Sequence, residues 1–253
     1  MILIEVRELR KYTTLIFDLD DTLFDFKACE KNGLKNVFAH YGLQYNEETF
    51  REYELVNQMI WREIEQGTAN KSEILNQRFR LFFQKYQIEV DGSEAESMYR
   101  KYLDQGYHLM PAADSCLKEL KENGFRIFAG TNGFGSTQRA RLKGAHLEHF
   151  FEDTFISEEI GYEKPDKRFF NAIFAQIPDF NSDDTLMIGD RLSADIVGGN
   201  QAGIDTCWFN PNKLDLIQSQ AQKPTYIMTS LNDLAEELIA AWQISQTAEQ
   251  KGR

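Results

Sequence analysis

Cysteine is scarce and scattered in this chain. The three that occur, Cys29, Cys116 and Cys207, are odd in number and far apart. No CxxC or CxxxC spacing occurs, which argues against both a disulfide framework and a cysteine zinc site. Each reads as a small buried hydrophobe in a reducing compartment. Long apolar runs are missing too: nowhere do about 18 apolar residues follow one another, as a membrane-spanning helix requires. The first ten residues break their apolar positions with charges before a signal-peptide core could form. Positive charge is in deficit, with 28 Lys and Arg against 40 Asp and Glu, a formal net charge of −12. Without a basic stripe, nucleic-acid polymers and membranes are poor partners. The expectation is a cytoplasmic protein, monomer or homodimer. If it handles phosphate, it must supply local cations, as a metal or a specific Lys.

What is abundant is core material. Apolar residues make up 42% of the 253, and 19 are phenylalanines, enough for one large domain or a core with a smaller companion. Two periods divide the chain. Residues 26–40, 47–65, 71–86 and 93–106 carry helical spacing, as in Leu34, Val37, Phe38 and Tyr41, or Tyr53, Val56, Ile60 and Ile64. Their aromatic stripes read as bundle core rather than a cofactor box. From Met110 onward, short apolar runs (125–129, 154–156, 185–188, 206–209, 226–228) alternate with helical stretches (113–122, 135–144, 166–176, 193–202, 230–243). With a first strand over 12–17, that alternation predicts an α/β fold: a three-layer α/β/α core with a mostly parallel sheet, covered on both faces. The five prolines fall at its joints, and the tail beyond 243 is expected to fray. The predicted organisation is a core over 1–24 and 108–253 and an inserted helical cap over 25–107.

Four groups of residues carry chemistry. Phe17-Asp18-Leu19-Asp20-Asp21-Thr22-Leu23-Phe24-Asp25 places several carboxylates at the end of the first strand, where open α/β sheets build ligand sites. Crowded carboxylates resist ionisation unless a cation or proton intervenes. Thr131-Asn132-Gly133 follows another strand and could cradle an anion; a Gly-rich helix-capping turn is the alternative. Lys164-Pro165-Asp166 offers a cation whose backbone proline constrains, with Asp166 as a helix cap. Gly189-Asp190-Arg191-Leu192-Ser193-Ala194-Asp195 puts one acid at a strand end and another five residues on. His146 and His149, placed on a core helix, read as surface residues.

Taken in order, Asp-x-Asp-x-Thr, Thr-Asn, Lys-Pro and Gly-Asp-x4-Asp resemble the four motifs of the haloacid dehalogenase (HAD)-like hydrolase superfamily. The resemblance spans Leu15 to about Phe209. The helical insertion is similar to the family's first cap type. Gly198 to Asn210, together with the first motif, resembles the branch containing pyrimidine 5′-nucleotidases. The resemblance implies a Rossmann-like core and a phosphatase acting on a small-molecule phosphate ester through an aspartyl-phosphate. Asp18 matches the nucleophile and Asp20 the general acid and base. Thr131, Asn132 and Lys164 match the phosphate-binding groups. Asp18, the Asp20 carbonyl and Asp190 match the ligands of Mg2+, with Asp195 in support. Thr22 is expected to shape the loop, and Asp21 and Asp25 to be structural. Phe24, Phe26, Trp61, Tyr107 and His108 are candidates for facing the substrate, though cap core is the plainer reading.

A carboxylic acid at Asp20 favours phosphate esters, because a halide leaves without protonation. A sugar-phosphate phosphatase and a phosphomutase fit the same motifs. A signalling receiver domain would be about half as long and would lack the insertion. A non-catalytic binding module on the same fold would not need every catalytic position filled.

Overall fold

The computed structural model describes residues 11–215 and 222–251. Along the chain run β1 (Thr14–Phe17), α1 (Phe26–His40), α2 (Glu47–Glu65), α3 (Lys71–Gln84), α4 (Gly92–Leu103) and α5 (Ala113–Glu122). Then come β2 (Arg126–Thr131), α6 (Gly135–Gly144), β3 (Asp153–Ile156), the single turn α7 (Ser157–Ile160) and α8 (Lys167–Phe174). The chain continues through β4 (Thr185–Gly189), α9 (Val197–Ala202), β5 (Asp205–Phe209), β6 (Tyr226–Met228) and α10 (Leu231–Lys251). The reading of the first ten residues lies outside the described residues.

By internal contacts the chain divides into two compact units. One runs to Phe24 and resumes over Leu109–Gly133 and from His146 onward; the other comprises Asp25–His108 and Phe134–Ala145. The second unit therefore takes in α6, which the sequence pattern assigned to the core because it connects two of its strands.

The first unit is a six-stranded parallel sheet of order β3-β2-β1-β4-β5-β6. A parallel strand covered on both faces reads as an unbroken apolar run. Accordingly Leu15, Ile16 and Phe17 are all fully buried, with Leu15 in register with Ile127 on one side and Leu186 on the other. One face packs Ile16, Phe128 and Met187 against Phe169, Phe170 and Ile173 of α8. Helix α9 comes close as well: a Cβ on Gly198 would stand 2.4 Å from the Phe170 ring, so only glycine fits. After β1, the chain builds β2 and β3 to one side, then crosses to β4 on the other. That reversal places a crevice at the carboxyl ends of β1 and β4.

The second unit is an all-helical bundle whose core is aromatic. Phe38, Tyr53, Phe79, Phe82 and Phe83 are fully buried, and the Phe38 and Phe82 rings stack at 4.7 Å. The aromatic stripes are thus bundle core. Helix starts are defined by caps: Asp25 accepts from Ala28 N, Asn70 from Glu73 N, and Asn46 with Thr49 forms a reciprocal capping box. The unit also buries an ion pair. Arg78 Nη2 donates to Glu96 Oε2 at 2.7 Å and Nη1 to Asn57 Oδ1 at 2.8 Å.

Several boundaries differ from the pattern. The stretch 193–202 is not one helix: Leu192–Ile196 forms a π-helical turn before α9 begins at Val197. Helix α10 continues to Lys251 instead of giving way to a tail after 243. His146 and His149 are exposed, but neither is on a helix of the core. His146 follows the end of α6 with a left-handed φ of 57°, and His149 lies in a 3-10 turn. Phe24 is fully buried in the α/β unit and packs as core, while Tyr107 is 48% exposed.

Candidate active site

Strand β1 ends at Phe17, and the next residue still belongs to the sheet: Asp18 N–H donates to the Ile188 carbonyl at 2.8 Å. That bond fixes the Asp18 backbone beside β4. The chain then turns tightly, with Leu23 N–H and Phe24 N–H both donating to the Leu19 carbonyl. Asp21 takes a left-handed φ of 56° in this turn, and Phe24 closes it by bridging to Leu109. Asp25 leaves it as the cap of α1. Both acids expected to be structural therefore have backbone duties. Asp20 lies in the same turn and is half-buried.

Lys164 is the centre of the arrangement. The residue is 1% exposed, and Nζ donates to Asp18 Oδ1 at 2.7 Å, Asp195 Oδ1 at 2.6 Å and the Gly130 carbonyl at 2.6 Å. An ammonium has three protons, and all three are placed. Burial works to lower the lysine pKa, but Asp18 and Asp195 more than reverse this and hold it above the ordinary value. It is a fixed positive charge. The Lys164–Pro165 peptide bond is cis, and Asp166 caps α8 through Arg168 N–H.

The two residues after Gly130 divide in role. Thr131, at the last position of β2, is 1% exposed. The resemblance puts Asn132 among the phosphate-binding groups, and its amide also bridges the Lys164 backbone. Oδ1 accepts from Lys164 N–H at 2.7 Å, and Nδ2 donates to the Lys164 carbonyl at 2.8 Å. Asn132 thus positions the lysine.

The last motif converges on the same point. Asp190 follows β4, its N–H donates to Thr22 Oγ1 at 3.1 Å, and its carbonyl accepts from Trp208 Nε1 at 2.8 Å. Thr22 is fully buried and ties the first motif to the last, which is the loop-shaping role its position suggested. Asp195 is not at a helix start. The π-helical turn carries its carboxylate inward, where Oδ1 meets Lys164 and Oδ2 accepts from Arg191 N–H at 3.0 Å. Gly189 makes room: a Cβ there would lie 2.2 Å from Asp195 Oδ2.

Electrostatically the site is unbalanced. Carboxylate oxygens of Asp18, Asp190 and Asp195 all lie within 4.8 Å of one another, against the single ammonium of Lys164. Burial pushes the Asp18 carboxyl up to about 7; Lys164 opposes the rise, and Asp195 and Asp20 add to it. Asp190 is also raised well above the usual carboxylate range, first by burial, then by Asp18 and Asp195. Surplus negative charge among oxygen donors fits a hard divalent cation, which would relieve the repulsion. The carboxylates of Asp18, Asp190 and Asp195, Lys164 and the Asn132 clamp are brought together in this geometry. Trp208, the Gly130 carbonyl and Arg191 N–H support it without any distinguishing signal in the sequence, because each acts through an atom common to its residue type.

Residues 12–203 match the haloacid dehalogenase-like hydrolase family, and the chain belongs to that family. It is 38% identical to the HAD-hydrolase YfnB of Bacillus subtilis (strain 168), across 89% of this chain and 95% of that protein. It is 39% identical to pyrimidine 5′-nucleotidase PynA of Streptococcus pneumoniae, over 89% of this chain and 94% of PynA. The crystal structure of YfnB bound to magnesium superposes with a TM-score of 0.85, covering 90% of this chain and 99% of that one. Among the described residues, no helix is long and apolar enough to cross a membrane.

Proposed function

We propose that this protein is a magnesium-dependent phosphatase that hydrolyses small phosphate monoesters, with pyrimidine nucleoside 5′-monophosphates as the favoured class. The observation that carries the reading is Lys164, buried and fully hydrogen-bonded, spanning Asp18 and Asp195 beside Asp190. The likeness to PynA supports the nucleotide preference.

In this reading a carboxylate oxygen of Asp18 bonds to phosphorus as the ester P–O bond breaks, and Asp20 gives its proton to the departing alkoxide. Asp20, now a base, takes a proton from water, whose oxygen displaces Asp18 from phosphorus and releases phosphate. A covalent carboxylate intermediate divides one hard displacement into two easier ones. Lys164 offsets negative charge at Asp18 and on the transferring group, and Thr131 and Asn132 donate to phosphoryl oxygens. Mg2+, held by Asp18, Asp190 and the Asp20 carbonyl with Asp195 in support, would supply positive charge for the phosphoryl oxygens. Residues 25–107 act as a cap and select the organic group. A small-molecule ester is the partner; neither a nucleic-acid polymer nor a membrane is.

Hydrolysis of an aryl phosphate ester with and without Mg2+, followed by a screen of nucleoside monophosphates and sugar phosphates, tests the proposal. Turnover with Mg2+ and a preference for UMP, dUMP and dTMP are expected. A preference for sugar phosphates overturns the nucleotide reading, and no turnover of any ester overturns the phosphatase reading.

A further inference from the structure

Asp190 stands one residue past the end of β4, so its peptide has left the ladder of the sheet and needs other partners. Side chains supply both of them. The Asp190 N–H donates to Thr22 Oγ1 at 3.1 Å, and the carbonyl accepts from Trp208 Nε1 at 2.8 Å. Trp208 is 3% exposed and lies on β5, in register with Gly189. From one strand over, its indole reaches across to the carbonyl that follows Gly189.

The need for such an anchor is electrostatic. Carboxylate oxygens of Asp18, Asp190 and Asp195 lie within 4.8 Å of one another. The three protons of the Lys164 ammonium are placed on Asp18, Asp195 and the Gly130 carbonyl, and none is left for Asp190. Asp190 is therefore the acid that repulsion drives out of the cluster when no cation is bound. A rigid, buried ring whose only polar group is a donor opposes that movement by gripping the main chain.

We propose that Trp208 is a positioning residue: its indole N–H holds Asp190 in place for a divalent cation before the cation arrives. The inference rests on the reading of Asp190 as a metal ligand given above. Because Trp208 acts through the Asp190 main chain, losing its N–H weakens metal binding, and a high metal concentration restores the chemistry. Groups that orient a ligand in this way are worth about 10–100-fold in metal affinity.

The test is calorimetric titration with Mg2+ of the full-length protein and of Trp208→Phe, Trp242→Phe and Asp190→Asn. Trp208→Phe keeps an aromatic ring in the core and removes the donor. Trp242 packs against Phe125, at the opposite end of β2 from Thr131, and so controls for the loss of an indole elsewhere. Trp208→Phe is expected to raise the Kd for Mg2+ by about tenfold or more, with aryl phosphate turnover recovering at saturating Mg2+. Trp242→Phe is expected to bind Mg2+ as the wild type does. The chain has three tryptophans, so the Trp208 indole N–H resonance of isotope-labelled protein is assigned by elimination with Trp61→Phe and Trp242→Phe. That resonance is expected to shift as Mg2+ is added, while the one from Trp242 stays in place. Unchanged Mg2+ affinity in Trp208→Phe, a loss no larger than in Trp242→Phe, or an indole resonance that ignores Mg2+ overturns the inference. Should Trp208→Phe fail to fold, the wild-type resonance decides alone. Wild-type affinity in Asp190→Asn overturns the reading of Asp190 as a ligand and this inference with it. Weakened binding in Asp190→Asn with none in Trp208→Phe overturns the role of Trp208 alone.

Discussion

Each unit of this protein buries a cation among carboxylates, and the two do so with opposite balance. In the helical unit Arg78 meets Glu96, Glu96 also meets Arg100, and Asn57 takes the other arm of Arg78 while donating to the buried Glu30 carboxylate, so two cations face two carboxylates. Charges there are matched. In the α/β unit Lys164 faces Asp18 and Asp195, with Asp190 close by and raised well above its ordinary pKa. Charges there are not matched. A matched buried pair contributes orientation and specificity to a bundle. An unmatched one stores electrostatic repulsion that a bound cation and a substrate can use. The lesson is that burial of charge alone does not mark a functional site; the surplus does.

Substitutions separate the two cases. Asp18→Asn should abolish ester hydrolysis, a loss on the order of 10⁴-fold or more in kcat, because the nucleophile is gone. Full turnover in that variant would sink the mechanism. Asp20→Asn should lower kcat by about 10²–10⁴-fold, the usual worth of a positioned acid and base, with a smaller deficit for esters of acidic alcohols that leave without help.

Stability measurements probe the same contrast. Arg78→Met leaves Glu96 with Arg100 alone and should cost about 3–5 kcal/mol in chemical denaturation, whereas Arg78→Met with Glu96→Leu should recover most of that loss. Recovery in the double variant is what a matched pair predicts. Magnesium should raise the melting temperature of the wild type, by an amount equivalent to about 2.7 kcal/mol at a hundredfold excess over Kd. In Asp190→Asn that shift should shrink sharply while the metal-free melting temperature rises, since a repelling carboxylate has been removed. Thr22→Val is the mildest: losing the hydroxyl that receives Asp190 N–H should cost about 1–3 kcal/mol and blunt the magnesium response.

Much of the fold was legible because its signals are local. Apolar runs marked every strand from β1 to β6, and helical spacing marked the four helices of the insertion. The π-helical turn at Leu192–Ile196 was not legible, since its sequence looks like an ordinary helix start and what reshapes it is the pull of Lys164 and Arg191 on Asp195. The grouping of α6 with the helical insertion was hidden for a similar reason. Arg141 Nε donates to the Gly106 carbonyl and Thr137 to Asp104, and contacts across more than thirty residues leave no periodic trace.

The sequence by itself determined the order of the motifs, the parallel sheet and the acids at strand ends, because periodicity and turn chemistry act over a few neighbours. Tertiary structure alone decided what those residues do to one another. Asp18 and Lys164 are 146 residues apart in the chain and 2.7 Å apart in space, and Asn132 clamps the backbone of a lysine 32 residues further on. The cause is that charge and hydrogen bonding act through distance and burial, and both are set only when the strands are packed side by side.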